Sequence, residues 1–271
     1  MKTWFITGTS RGFGREWTQA ALERGDRVAA TARHLDSLND LVERFGDRIL
    51  PLRLDVNDRA AGFAAVKAAH EHFGRLDVIV NNAGYGLFGA IEEVSEAQAR
   101  AQIETNLFGA LWVTQAALPY LREQGSGHIL QVSSIGGVGA FPLIGMYNAS
   151  KWGLEGFTEA LSQEVEPFGI KVTLIEPGGF DTDWSGSSAI HAEQISDYDS
   201  LRNAQKKRPG STKSGDPTAS SAAILKLVDA EHPPLRLLFG EFATQLAPKL
   251  YEQRLQVWAE WEDVARAADG K

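Results

Sequence analysis

Seven short runs rich in β-branched and apolar residues, most of them separated by helical periodicity, constrain this chain more than any other feature. They are Thr3–Thr7, Arg27–Ala32, Ile49–Leu54, Leu76–Val80, His128–Val132, Lys171–Ile175 and Leu235–Phe239. Strands joined through helices pair in parallel, and the crossovers cover both faces of the sheet. Helical patterns fall at Gly12–Glu23, Asp58–Phe73, Glu96–Arg122 with a break near Asn106, and Tyr147–Glu166, which Pro167 and Gly169 stop. The pattern predicts one doubly wound α/β domain over residues 1–271, with about seven parallel strands and a helical tail at 241–268. A length of 271 residues with 43% hydrophobic content suits one such core. One stretch breaks the alternation. Residues 183–216 are polar, rich in serine and threonine, and without clear period; a segment this long reads as a lid over a substrate site.

Composition removes several function classes. A net charge of −8 disfavours nucleic acid and anionic membrane, both of which reward basic patches. With no cysteine, thiol catalysis and cysteine-based zinc sites are excluded. The six histidines do not cluster, and His70 and His72 stand on different faces of a helix, so no metal site is expected. The first residues run straight into a strand, with no basic-then-apolar signal segment, and no apolar run is long enough to span a bilayer. A soluble, cytoplasmic protein is expected. The basic run Lys206-Lys207-Arg208 reads most simply as solvated loop.

The join of the first strand and first helix reads Thr7-Gly8-Thr9-Ser10-Arg11-Gly12-Phe13-Gly14. Glycines there permit a tight turn and let backbone approach a pyrophosphate, whose charge meets the helix N-terminus. An ordinary Gly-rich turn would look the same in isolation. Three residues, not one, separate the first two glycines, and further landmarks follow in order: Asp55, Asn81-Asn82-Ala83-Gly84, Asn106, Ser134, Tyr147, Lys151, Pro177-Gly178 and Thr182. Taken together, from Thr3 to Trp184, these resemble the short-chain dehydrogenase/reductase family, in the branch of retinol- and hydroxysteroid-type dehydrogenases. The resemblance implies a nicotinamide dinucleotide held by Gly8, Ser10, Arg11, Gly12, Phe13 and Gly14. It also implies Asp55 and Val56 beside the adenine, and Asn81, Asn82, Ala83 and Gly84 along the floor. Tyr147, Lys151, Pro177, Gly178, Phe180 and Thr182 complete the cofactor set.

An acidic residue ending the second strand would bind the ribose hydroxyls and repel a 2′-phosphate. This chain has Ala30-Thr31-Ala32-Arg33 there, with no carboxylate before Asp36. Arg33 can fork onto phosphate oxygens and Arg11 can add a second charge, so NADP is expected.

Tyr147 and Lys151 stand four apart and share one helix face. A nearby ammonium favours phenolate, which should lower the tyrosine toward neutral pH. By resemblance, Tyr147 donates the proton, Ser134 orients the substrate oxygen, Lys151 holds the nicotinamide ribose, and Asn106 positions a water leading to bulk. Hydride comes from the cofactor. Phe88, Phe141 to Leu143, Phe180 and Trp184 are apolar and stand where substrate would lie, which points to a small-molecule ketone or aldehyde that is bulky and uncharged. The rival readings are an NAD-linked alcohol dehydrogenase and a cofactor-binding regulator without chemistry. The resemblance also implies a homodimer or homotetramer, paired through the helices at Glu96–Arg122 and Tyr147–Glu166.

Overall fold

The first strand, β1 (Thr3–Ile6), sits inside a sheet with β2 (Arg27–Ala32), β3 (Ile49–Arg53), β4 (Val78–Asn81), β5 (Gly127–Val132), β6 (Ile170–Pro177) and β7 (Arg236–Phe239). The order is β3–β2–β1–β4–β5–β6–β7, parallel throughout. This computed structural model describes residues 1–207 and 214–270. Arg208 of the basic run, and 208–213 of the expected lid, lie outside the described residues.

Period-two alternation sends neighbouring residues of β1 into different cores. Trp4 and Ile6 pack with Trp17, Leu22, Val28, Ile224 and Leu227 on one face. Phe5 packs with Ala29, Val66, Ala69, Val113, Ile129 and Leu161 on the other. Helices cover both faces, which is why the strands read as nearly unbroken apolar runs. Sheet growth reverses between β1 and β4, and that reversal opens a crevice at the carboxyl ends of the strands.

All seven expected strands are present, with ends displaced by one or two residues. The long helix expected over Glu96–Arg122 is two helices, Glu96–Ile103 and Gly109–Gln124, joined by a π-turn at Glu104–Phe108. Such wide turns are frequent at functional sites, and this one carries Asn106. The tail forms helices at Glu241–Glu260 and Glu262–Ala267. No described helix is long and apolar enough to cross a membrane.

The described residues between 183 and 216 hold more regular structure than their sequence suggests. Ile190–His191 pairs in parallel with Leu87–Phe88, and Asp199–Lys207 is helical. The cause is a distant partner. Arg202 Nη1 contacts Glu93 Oε1 at 2.5 Å, and the same oxygen accepts from the Ile195 amide at 2.8 Å. Glu93 Oε2 accepts from the Ala90 amide at 2.7 Å. One buried carboxylate thus staples 190–202 to the chain that follows β4.

Candidate active site

The carboxyl ends of the central strands open into one cleft of about 840 Å³, lined at one end by the glycine loop and at the other by Ser134, Tyr147 and Lys151. Gly8 and Gly12 both adopt positive φ, +69° and +57°, which side chains resist. Gly14 does not face the cleft. A methyl on it would collide with the Gly8 carbonyl and lie 2.5 Å from Asn82 Nδ2, so its bareness lets helix and loop touch. Asn82 pins that loop from β4, its Nδ2 donating to the carbonyls of Thr7 (2.9 Å) and Gly8 (3.0 Å). In return Thr7 Oγ1 accepts from the amides of Asn82 (2.9 Å) and Ala83 (3.0 Å). The helix Gly12–Glu23 begins with no side-chain cap, leaving first-turn N–H groups for an anion.

Ser10, Arg11, Phe13, Arg33, Asp55, Val56, Ala83, Gly84, Pro177, Gly178 and Thr182 all line the cleft, Ala83 against Gly8 and Thr182 beside Gly12. Arg33 is exposed at the end of β2. Arg11 is differently placed: its Nη1 is ion-paired with Asp183 and also donates to Ser187 Oγ at 2.9 Å. The second positive charge expected for a 2′-phosphate is therefore engaged across the cleft. Asn81 turns its side chain away, donating to Thr114 Oγ1 at 2.9 Å. The glycine cradle and the uncapped helix together suit the pyrophosphate of a dinucleotide.

At the other end, Ser134 leaves β5 extended, and its Oγ accepts from the Gly136 amide at 3.0 Å. Tyr147 and Lys151 sit in the first two turns of the Gly145–Val165 helix, both buried. Lys151 Nζ donates to the Val132 carbonyl at 2.7 Å and lies 5.7 Å from the Tyr147 ring centre. Asn106 does not line the cleft. Its Oδ1 accepts from the Tyr85 amide (3.1 Å), and its Nδ2 donates to the Tyr85 carbonyl (3.0 Å) and Ser150 Oγ (3.2 Å). Its amide thus ties the Gly84–Tyr85 turn to the helix bearing Tyr147. A methyl on Gly84 would come within 3.1 Å of Asn106 Oδ1 and 3.8 Å of Lys151 Nζ.

Electrostatics differ from the sequence expectation. Burial pushes the Tyr147 phenol up to about 12, with the Ser134 hydroxyl pulling the other way. Burial also brings Lys151 down to about 8, opposed by the negative charge of Glu155. Desolvation outweighs the Ser134 hydrogen bond and leaves the phenol raised.

Trp184 tilts over Tyr147 with ring centres 4.9 Å apart. Phe88 lies behind it at 5.1 Å, and His191 stacks on Phe88 at 5.2 Å. Gly86 supplies the seat, since a methyl there would meet the Trp184 ring at 2.8 Å. Phe141 and Ile144 line the cleft near Tyr147, while Leu143 between them holds φ of 66°. Phe180 lines the cleft but turns its ring edge-on to Phe13, 4.9 Å away, beside the core packed around Trp17. His191 and Asp183 drew no attention in the sequence. Only the folding of 183–202 back onto Leu87–Phe88 and Arg11 gives them neighbours.

Residues 2–192 match the family model described as short chain dehydrogenase. An oxidoreductase, BOA17, of Botryotinia fuckeliana is 43% identical, covering 98% of this chain and 99% of that protein. A 3-ketodihydrosphingosine reductase of Bacteroides thetaiotaomicron is 38% identical, covering 90% of each. Among solved structures, a short-chain dehydrogenase from Streptomyces avermitilis superposes with a TM-score of 0.91 at 38% identity, over 98% of this chain and 97% of that one. An alcohol dehydrogenase from Thermococcus sibiricus, complexed with 5-hydroxy-NADP, matches with a TM-score of 0.74 at 28% identity, over 88% and 96%.

Proposed function

The chain belongs to the short-chain dehydrogenase/reductase family, and from that premise we propose that it interconverts a bulky, uncharged ketone or aldehyde with its alcohol, using NADP(H). The observation that carries this reading is the convergence of Ser134, Tyr147 and Lys151 on the cleft that the glycine loop lines. The cofactor, when bound, supplies the hydride. The Tyr147 hydroxyl donates its proton to the substrate oxygen, and the Ser134 hydroxyl holds that oxygen in place. Lys151, as the ammonium, fixes the ribose and stabilises the phenolate that Tyr147 leaves behind. Asn106 keeps the turn at Tyr85 against this helix, where a water passing protons between Lys151 and bulk would be held.

Arg33, and the lack of a carboxylate at the end of β2, support NADP over NAD, as does the NADP analogue in the Thermococcus neighbour. The aromatic wall of Trp184, which Phe88 backs, and Phe141 supports a large apolar substrate, and the Bacteroides relative is named for reducing 3-ketodihydrosphingosine. The test is turnover of NADPH and NADH against ketones and aldehydes of graded size, and of the oxidised cofactors against alcohols. Turnover should favour NADPH with large apolar carbonyls. Preference for NADH would select the NAD-linked alternative, and tight cofactor binding with no turnover of anything would select the regulator.

Of the segment read as a substrate lid, residues 183–189, between Thr182 and the stapled 190–202, are the part that moves in this reading. Hydrogen exchange should slow across 183–189 when NADP and an alcohol product bind together. Exchange already slow there in the empty protein would remove the lid.

A further inference from the structure

The helix that carries Tyr147 and Lys151 presents a third ionisable group on the same face. Glu155 follows Lys151 by four residues, and it is buried. Its Oε2 accepts from Arg236 Nε at 3.1 Å, while its Oε1 has no hydrogen-bond partner. Glu176, the residue before Pro177 in β6, is only 2% exposed. Its Oε1 lies 3.5 Å from the same Arg236 Nε and also makes no hydrogen bond. Arg236 meanwhile spends its Nη2 on the exposed Glu159, at 2.7 Å. Two buried carboxyl groups therefore share part of one guanidinium.

Two carboxylates so placed cannot both ionise cheaply, and a single proton held between them would satisfy both bare oxygens. Burial accordingly pushes both upward, Glu176 to about 8. The cluster also reaches the catalytic strand. A methyl on Gly137 would lie 2.7 Å from Ser133 Oγ and 3.2 Å from Glu155 Oε1, so the hydroxyl next in sequence to Ser134 stands beside this carboxyl. None of Glu155, Glu176 and Arg236 lines the cleft.

We propose that Glu155 is a positioning residue for Lys151, and that the proton it shares with Glu176 sets how much ammonium Lys151 retains. This rests on Tyr147 and Lys151 being the reacting pair. Lys151 is faced from its own helix by Tyr147 and Glu155, from β5 by the Val132 carbonyl, and across Gly84 by the neutral Asn106. Glu155 is faced by Arg236 from β7, Glu176 from β6 and Ser133 just past the end of β5. Below the pH at which Glu176 ionises, about 8, the shared proton stays within the carboxyl pair. It lies on one carboxyl or the other, and Lys151 feels the charge that remains on Glu155.

Two isosteric substitutions then act with opposite sign. Glu155→Gln removes the charge that supports the ammonium. Glu176→Gln leaves Glu155 with no acid to share, so it ionises fully. The midpoint of Lys151 can be read from its rate of competitive acetylation by acetic anhydride across pH 6–10, measured by mass spectrometry of the folded protein. It should fall by about one pH unit in Glu155→Gln, the scale of one partly screened charge a helical turn away, and rise in Glu176→Gln. Glu155→Asp keeps the charge and should hold the midpoint near that of the parent, which covers the case in which Glu155→Gln does not fold. Movement in the same direction in both glutamine variants, or none in any variant, would overturn the proposal. The labelling needs no turnover, so failure to find a reducible carbonyl would count against the function and leave this result standing. Where turnover is found, the alkaline limb of carbonyl reduction should move with the same signs.

Discussion

Tyr147→Phe should cut turnover by ~10²–10⁴ while NADPH binding stays near that of the parent, the loss typical of removing a positioned general acid. The substitution is well matched to the site. The phenyl ring keeps its place under Trp184 and its buried packing, so only the hydroxyl is lost. Because burial holds the phenol up near about 12, Tyr147 is protonated throughout the working range of the empty enzyme. That state suits donation to a developing alkoxide. The reverse reaction needs the phenolate, so alcohol oxidation should strengthen as pH rises, until Lys151 loses its proton through about 8. Steady-state rates in both directions, with cofactor affinity followed by fluorescence, separate the acid from a packing role. Near-normal turnover in the variant would remove Tyr147 as the proton donor.

Arg33→Ala should weaken NADPH ten- to a hundredfold and leave NADH nearly unchanged. A charge-assisted contact to one phosphate is worth roughly 1.5–3 kcal/mol, and NADH lacks the 2′-phosphate. Arg33 is the exposed guanidinium at the end of β2, on the cleft wall. Arg11, the other candidate, is held by Asp183 and Ser187, so discrimination should fall mainly on Arg33. Dissociation constants for both cofactors, taken at one ionic strength, decide the matter. Equal losses for the two would show that another group reads the phosphate.

Much of this was legible in the chain itself, for local reasons. A parallel strand buried on both faces must be apolar along its length, and the central strands β1 and β4 show that most fully. Tyr147 and Lys151 share a face because four residues make about one turn, and Gly14 is bare because its neighbours leave no room. What stayed hidden depends on partners far along the chain. Nothing local says that Glu93 waits for Arg202, so 190–202 read as a loop. Glu155 and Glu176 look like ordinary surface charges until the sheet sets them beside Arg236. The break at Asn106 was visible as a weakness in a helix, but not as a π-turn or as the clasp on Tyr85. The upward movement of Tyr147 was missed because sequence spacing gives the nearness of Lys151 and not the depth at which both lie.

The strand order also bears on how the chain is made. From β4 onward, each new strand joins the edge left by its predecessor, in the order in which a ribosome delivers it. The last arrival, β7, pairs with Leu174–Pro177 and brings Arg236 to Glu155 and Glu176. Until some 240 residues have emerged, β6 is an open edge that other chains can pair with, and its buried acid has no cation beside it. A message truncated ahead of Arg236 would thus yield a polypeptide with Asn106, Ser134, Tyr147 and Lys151 all present and an edge prone to aggregate. The closing strand, β7, caps that edge and brings the cation that the buried acid of β6 lacks until then.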